Sequence, residues 1–184
     1  MPSPLPVLCL NCPMSQFLYT KEIALLAALH KLSVRYLVVG GHAVISHGYL
    51  RLAKDLDLWL FPSKENAGRF AEAFSQIKAP LPDGFVTPLA QPDRYEPIPG
   101  WNIEVLTSVE GLEFDAAFSQ SLIMYANGVQ YAVLGFADLI KNKLALGREA
   151  DLEDIQQLQG LHTADPTTTT ACPSAACITP PAPQ

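Results

Sequence analysis

"VVGGHAVISHGYLRLAKDLDLWL", Val38 to Leu60, joins a pair of glycines to a pair of carboxylates across a mostly apolar stretch. A short β-branched run, Val34–Val39, reads as a strand that ends at Gly40-Gly41. Residues 42–48 suit a short helix, and Leu56–Phe61 reads as a second strand. Side chains alternate along a strand, so Asp55, Asp57 and Trp59 share one face, and Leu56, Leu58 and Leu60 share the other. Two carboxylates at this spacing stand about 7 Å apart and repel one another. A divalent cation with oxygen ligands would relieve them. A solvated edge strand can carry the same pattern.

The glycines admit two readings as well. Gly40 and Gly41 could form an ordinary tight turn, or could let a phosphate approach the backbone at the start of a helix. Read together, the two features place a phosphate seat and a metal seat within one supersecondary unit.

Working outward, residues 15–32 carry Ile23, Leu26, Ala27 and His30 at helical spacing. Ser63–Ile77 is expected to be a helix with Ser63 as its N-cap and with Phe70, Ala73, Phe74 and Ile77 on one face. The Pro-rich segment 79–100 reads as a long loop beside the site, and Asn102–Thr107 as a strand that brings Glu104 forward as a third carboxylate. Residues 121–126 and 129–134 form a hairpin about Asn127-Gly128, a pair suited to positive φ. Helices at about 136–146 and 149–159 close the domain. Helices mixed with adjacent and separated strands define an α/β (α+β) fold, a mixed sheet covered by helices.

Phe136, Leu139, Ile140, Leu144 and Gly147 form a stripe on the first of these closing helices, and Lys143 falls inside it. A buried ammonium needs a partner, either a nucleotide phosphate or Asp151 or Asp154 from the next helix. The alternative is a lysine that extends to water. Arg148 and Asp151 are spaced for a local ion pair. Arg51, four residues before Asp55, could clamp a triphosphate or balance local acid. His42 and His47 flank the glycine turn, where packing or hydrogen bonding suits them better than Mg²⁺, which prefers oxygen.

The chain of 184 residues is 49% hydrophobic with a formal net charge of -6, so one domain with a real core is expected. That charge disfavours a broad nucleic-acid grip, and an RNA would have to be held locally. No secretory leader or membrane span is legible, and the cytoplasm is the expected compartment. Residues 1–13 and the Thr/Pro/Ala-rich tail 163–184 are expected to be disordered around a domain at 14–162. Met14 is a candidate start codon, an idea that the intact mass of the native protein would test. Cys9 and Cys12, with Cys172 and Cys177, lie in Pro-rich segments that nothing holds in place, so neither a zinc site nor a structural disulfide is expected.

The motifs taken in order resemble a known family. Gly40, Gly41, Ala43, His47, Gly48, Arg51, Asp55, Asp57 and Trp59, then Glu65-Asn66-Ala67, then "IEVLTSVEG" from Ile103 and "DLIKNKLALGREADLED" from Asp138, look like the small bacterial nucleotidyltransferase-like proteins of the DNA polymerase beta superfamily. These are related to abortive-infection and toxin–antitoxin nucleotidyltransferases, and the resemblance covers roughly residues 36–158. It implies a nucleotidyltransferase fold and transfer of a nucleoside monophosphate from an NTP such as ATP. Asp55, Asp57 and Glu104 would be the catalytic carboxylates that hold Mg²⁺ or Mn²⁺, and Gly40, Gly41, Arg51 and Lys143 would bind the nucleotide. His47, Arg148, Asp151 and Asp154 would support them. The acceptor could be an RNA end, a protein or a small molecule, and the partner a cognate toxin or antitoxin. Three positions differ from the pattern: Glu104 replaces Asp, Ala53 replaces Thr before D-x-D, and His42 stands where relatives often have Ser.

Overall fold

Strand β2, Leu56–Leu60, lies between β1, Tyr36–Val38, and β4, Ile103–Leu106, near the middle of a six-stranded sheet. The computed structural model describes residues 18–164. Outside β4 lies β3, Tyr95–Pro97, while the hairpin β5, Leu122–Ala126, and β6, Val129–Val133, extends the other side, giving the order β3-β4-β2-β1-β6-β5. The sheet is mixed. β2 runs parallel to β4 and β1 parallel to β6, while the other neighbours are antiparallel. Asn127 and Gly128, at φ of 50° and 79°, make the two-residue hairpin turn that their sequence predicts.

Among the described residues six helices accompany the sheet: α1, Thr20–Lys31; α2, Gly40–Ser46; α3, Lys64–Gln76; α4, Phe114–Ser119; α5, Phe136–Leu146; and α6, Glu149–Ala164. The Ser63 hydroxyl caps α3 by accepting the Asn66 amide at 3.1 Å. Ala67, Phe70, Ala73 and Phe74 of α3 then enter the core with Leu25, Leu26 and Leu29 of α1. α1 therefore turns a face centred on these leucines inward, whereas His30 is exposed, which displaces the stripe expected from spacing. Gly147 ends α5 at a left-handed φ of 63°, a conformation that costs glycine little and frees the chain to restart as α6. Helix α6 continues past Thr163 to Ala164.

Two elements depart from the sequence reading. The Pro-rich segment holds a 3-10 turn at Pro88–Ala90 and the short strand β3, because pairing with β4 satisfies backbone groups that local composition leaves open. Helix α4 stacks Phe114 edge-on against Trp59, with ring centroids 5.1 Å apart. Trp59 is thus buried, although it shares a strand face with Asp57. That face is sealed by α4 at one end and open at the other. The expectations for residues 1–13 and beyond 164, including Met14 and all four cysteines, fall outside the described residues. Among the described residues, no helix is long and apolar enough to cross a membrane.

Candidate functional site

At the open end of this sheet face is a cleft of about 640 Å³, lined among others by Gly40, Gly41, Arg51, Asp55, Asp57, Glu104, Lys143, Arg148 and Asp151. One wall is the sheet. The parallel register sets Asp57 directly beside Glu104, with Asp55 at the entry to β2. Burial, first, and then the charge of Glu104 push the Asp57 carboxyl up to about 7, with Asp55 adding to the effect and the Gly41 amide, which donates to Asp57, opposing it.

The glycines serve this carboxylate. Gly40 has a φ of 60°, and a Cβ built on it would lie 1.9 Å from the Asp57 Oδ2 atom. A Cβ on Gly41 would press Ala53 at 3.0 Å. Gly40-Gly41 is therefore a close-approach site for Asp57 as well as a lining of the cleft, and one of the amides expected to face a phosphate is already engaged.

The other wall comes from α5, α6 and the loop before β2. Lys143 is buried and its Nζ lies 2.8 Å from Asp151 and 2.7 Å from Asp154. Arg51 grips Asp154 in a fork, through Nε at 2.7 Å and Nη2 at 2.9 Å. Arg148 donates to Asp151 through Nε at 2.6 Å. Burial pushes Asp151 up, but the bonds from Arg148 and Lys143 outweigh it and hold the carboxyl below its ordinary range. The bond to Asp151, chiefly, raises Arg148. Arg148 keeps a side chain that is 69% exposed, unlike Lys143 at 4%.

These contacts select among the sequence alternatives. Lys143 does not extend to water; its partners are Asp151 and Asp154, because α6 folds back along α5 after Gly147. The buried stripe of α5 is Leu139, Asn142 and Lys143, while Leu144 is 60% exposed. His47 lies away from the cleft and donates from Nε2 to the Leu134 carbonyl at 2.8 Å, tying the end of α2 to the end of β6. Burial, mainly, lowers its pKa. His42 is buried too, and burial together with Arg51 lowers it to about 4, so it is neutral. Its Nδ1 has no hydrogen-bond partner among the described residues. Asn66 of the Glu65-Asn66-Ala67 motif is structural: its amide donates to the Arg35 and Phe61 carbonyls and accepts from the Arg35 amide.

Among the cleft residues that sequence reasoning missed, two are polar groups beside the site's charges. Asn142, one helical position before Lys143, donates to the Glu110 carbonyl at 3.0 Å. Tyr95 on edge strand β3 shares the cleft with Glu104, whose influence chiefly raises its phenol to about 12. The signal for Tyr95 was its alternation with Glu96 and Pro97, hidden inside a Pro-rich segment.

Among the described residues, no three His, Cys, Asp or Glu side chains stand as a ready metal-ligand set. The donor chemistry still fits a hard cation: three carboxylates line one wall, and a divalent ion would relieve the charges of Glu104 and Asp55 that, after burial, raise Asp57.

Fold and site together define a mixed α/β domain with a cleft between an acidic sheet wall and a helix wall of paired charges. The chain is similar in structure to a protein described as a "putative nucleotidyltransferase" (TM1012) from Thermotoga maritima, at 16% identity over 77% of this chain and 89% of that chain, with a TM-score of 0.47. No protein-family model and no curated protein matches the chain.

Proposed function

We propose that this domain has a nucleotidyltransferase-type fold and that its cleft takes a nucleoside triphosphate, transfers the nucleoside monophosphate to a hydroxyl and releases pyrophosphate. The observation that carries this reading is the β2–β4 register, which sets Asp57 beside Glu104 on the wall opposite Arg51, Lys143 and Arg148. Asp55, Asp57 and Glu104 would hold Mg²⁺ or Mn²⁺, which when bound supplies neutralisation of phosphate charge. Glu104 is the base that takes the acceptor proton. Arg148, the exposed cation of its wall, meets the triphosphate directly. Arg51 and Lys143 act through the field of their network, in which three cations face two carboxylates. Gly40 and Gly41 let the phosphates come close to the backbone.

The acceptor class is a hydroxyl on an RNA end, a protein or a small molecule, and the domain would work in the cytoplasm with a cognate toxin or antitoxin. Incubation with each α-labelled NTP, Mg²⁺ and cell lysate should transfer label, and the Asp55→Ala/Asp57→Ala variant should not. Equal transfer by that variant would end the enzyme reading. A second reading is a nucleotide- or partner-binding module with little or no catalysis. It is favoured by the engagement of Arg51 and Lys143 with Asp154 and Asp151, and of the Gly41 amide with Asp57. Binding of Mg-NTP without transfer of label to any acceptor would select it.

A further inference from the structure

A hydroxyl already stands where the proposed reaction needs an acceptor. Strand β3 pairs with β4 so that Pro97 opposes Glu104 and Tyr95 opposes Leu106. Tyr95, Pro97, Leu106 and Glu104 consequently share one face, and Tyr95 is the diagonal neighbour of Glu104 on the side of the cleft. Tyr95 and Glu104 both line the cleft, so the phenol and the carboxylate face the same space. Tyr95 is 54% exposed at the sheet edge, so a group added to the phenolic oxygen has room on the solvent side. Ser108 also lines the cleft, but it lies beyond the end of β4, outside this pairing.

We propose that Tyr95 is a self-modification site, at which the domain nucleotidylates its own phenolic hydroxyl. This rests on the nucleotidyltransferase reading above and adds to it a phenol as acceptor. The bond between the Tyr95 oxygen and the α-phosphorus forms, and the bond from that phosphorus to the bridging oxygen breaks. The electron pair of the broken bond leaves with pyrophosphate, and the phenolic proton passes to Glu104. One tyrosine per chain is placed this way, so modification stops at one nucleotide per chain. A modified Tyr95 would also occupy the cleft mouth beside Glu104 and slow transfer to any other acceptor.

The test uses the full chain with Mg²⁺ and α-labelled ATP, read by intact mass and peptide mapping. The expected result is label that saturates at one nucleotide per chain, maps to the Tyr95 peptide and is lost in Tyr95→Phe, whose fold is checked by its melting curve. Independently of turnover, an α,β-methylene analogue of ATP with Mg²⁺ should slow nitration of Tyr95 by tetranitromethane several-fold. Label on Ser108 or another residue, or a Tyr95 that the analogue leaves unprotected, would overturn the proposal. Label on a lysate acceptor with Tyr95 unmodified would overturn it while leaving the transferase reading in place. An absence of both transfer and Mg-ATP binding would remove the two together.

Discussion

The two walls of the cleft handle charge in opposite ways. On the helix wall, Lys143, Asp151 and Asp154 are almost fully buried, yet every charge has an opposite partner within 3 Å. On the sheet wall, Asp57 and Glu104 sit side by side without an ion pair among the described residues, and burial with the Glu104 charge drives Asp57 up to about 7. A buried ion pair is stable only as a complete set, since removal of one partner strands the other. An uncompensated pair of like charges is a standing demand for something from outside. The helix wall therefore holds the fold together, and the sheet wall is where binding should register.

The sharpest way to break this contrast is Lys143→Ala. Loss of the ammonium leaves Asp151 and Asp154 buried with only their arginines, and should cost about 3–5 kcal/mol in urea unfolding. A cost below about 1 kcal/mol would mean that the helix wall is not the scaffold.

Next comes Gly40→Ala, which adds a left-handed φ penalty of roughly 1–2 kcal/mol to the collision with Asp57. The double variant Gly40→Ala/Asp57→Ala should recover the part due to the collision and keep the φ cost. Simple additivity of the two substitutions would show that the glycine is not there for the aspartate.

Asp57 gives the contrast a pH signature. Its folded pKa of about 7 lies above the ordinary 3.8, so between these values the native state keeps a proton that the unfolded chain has lost. The Asp57 contribution to stability should then fall as pH rises from about 4 to about 7 and level off above, opposed by the lowered His42 and His47, whose contributions rise with pH up to about 6.5. Asp57→Asn should lose this slope and exceed the wild type at pH 8, and Mg²⁺ should raise the melting temperature of the wild type at pH 8 but not that of the variant. Identical slopes would show that Asp57 is not strained by its neighbours.

The smallest effect belongs to Arg148→Ala. Its side chain is 69% exposed and Asp151 keeps Lys143, so less than about 1 kcal/mol should be lost. Mg-NTP affinity, measured by titration calorimetry, should nonetheless fall, which would separate binding from stability within the helix wall.

Local signals were legible in proportion to how local their causes are. Ser63 reads as a cap because the amide it must satisfy is three residues away, and Asn127-Gly128 reads as a turn because the φ angles belong to those residues. The D-x-D pair and Glu104 were legible as a spacing on strands. The burial of Trp59 was not legible because its cover, Phe114, is 55 positions along the chain. Tyr95 was missed because a three-residue strand in a Pro-rich stretch exists only through its pairing with β4.

What the chain determined by itself is most of the elements and the two residue groups, since periodicity, capping and turn chemistry act within a few positions. Only the tertiary structure decided how those groups meet. The register of β2 against β4 brought Asp57 to Glu104, and the fold of α6 along α5 gave Lys143 to carboxylates instead of leaving it free. The first outcome joins strands far apart in sequence and the second joins consecutive helices, and in both electrostatics acts through space, where local propensity carries no information.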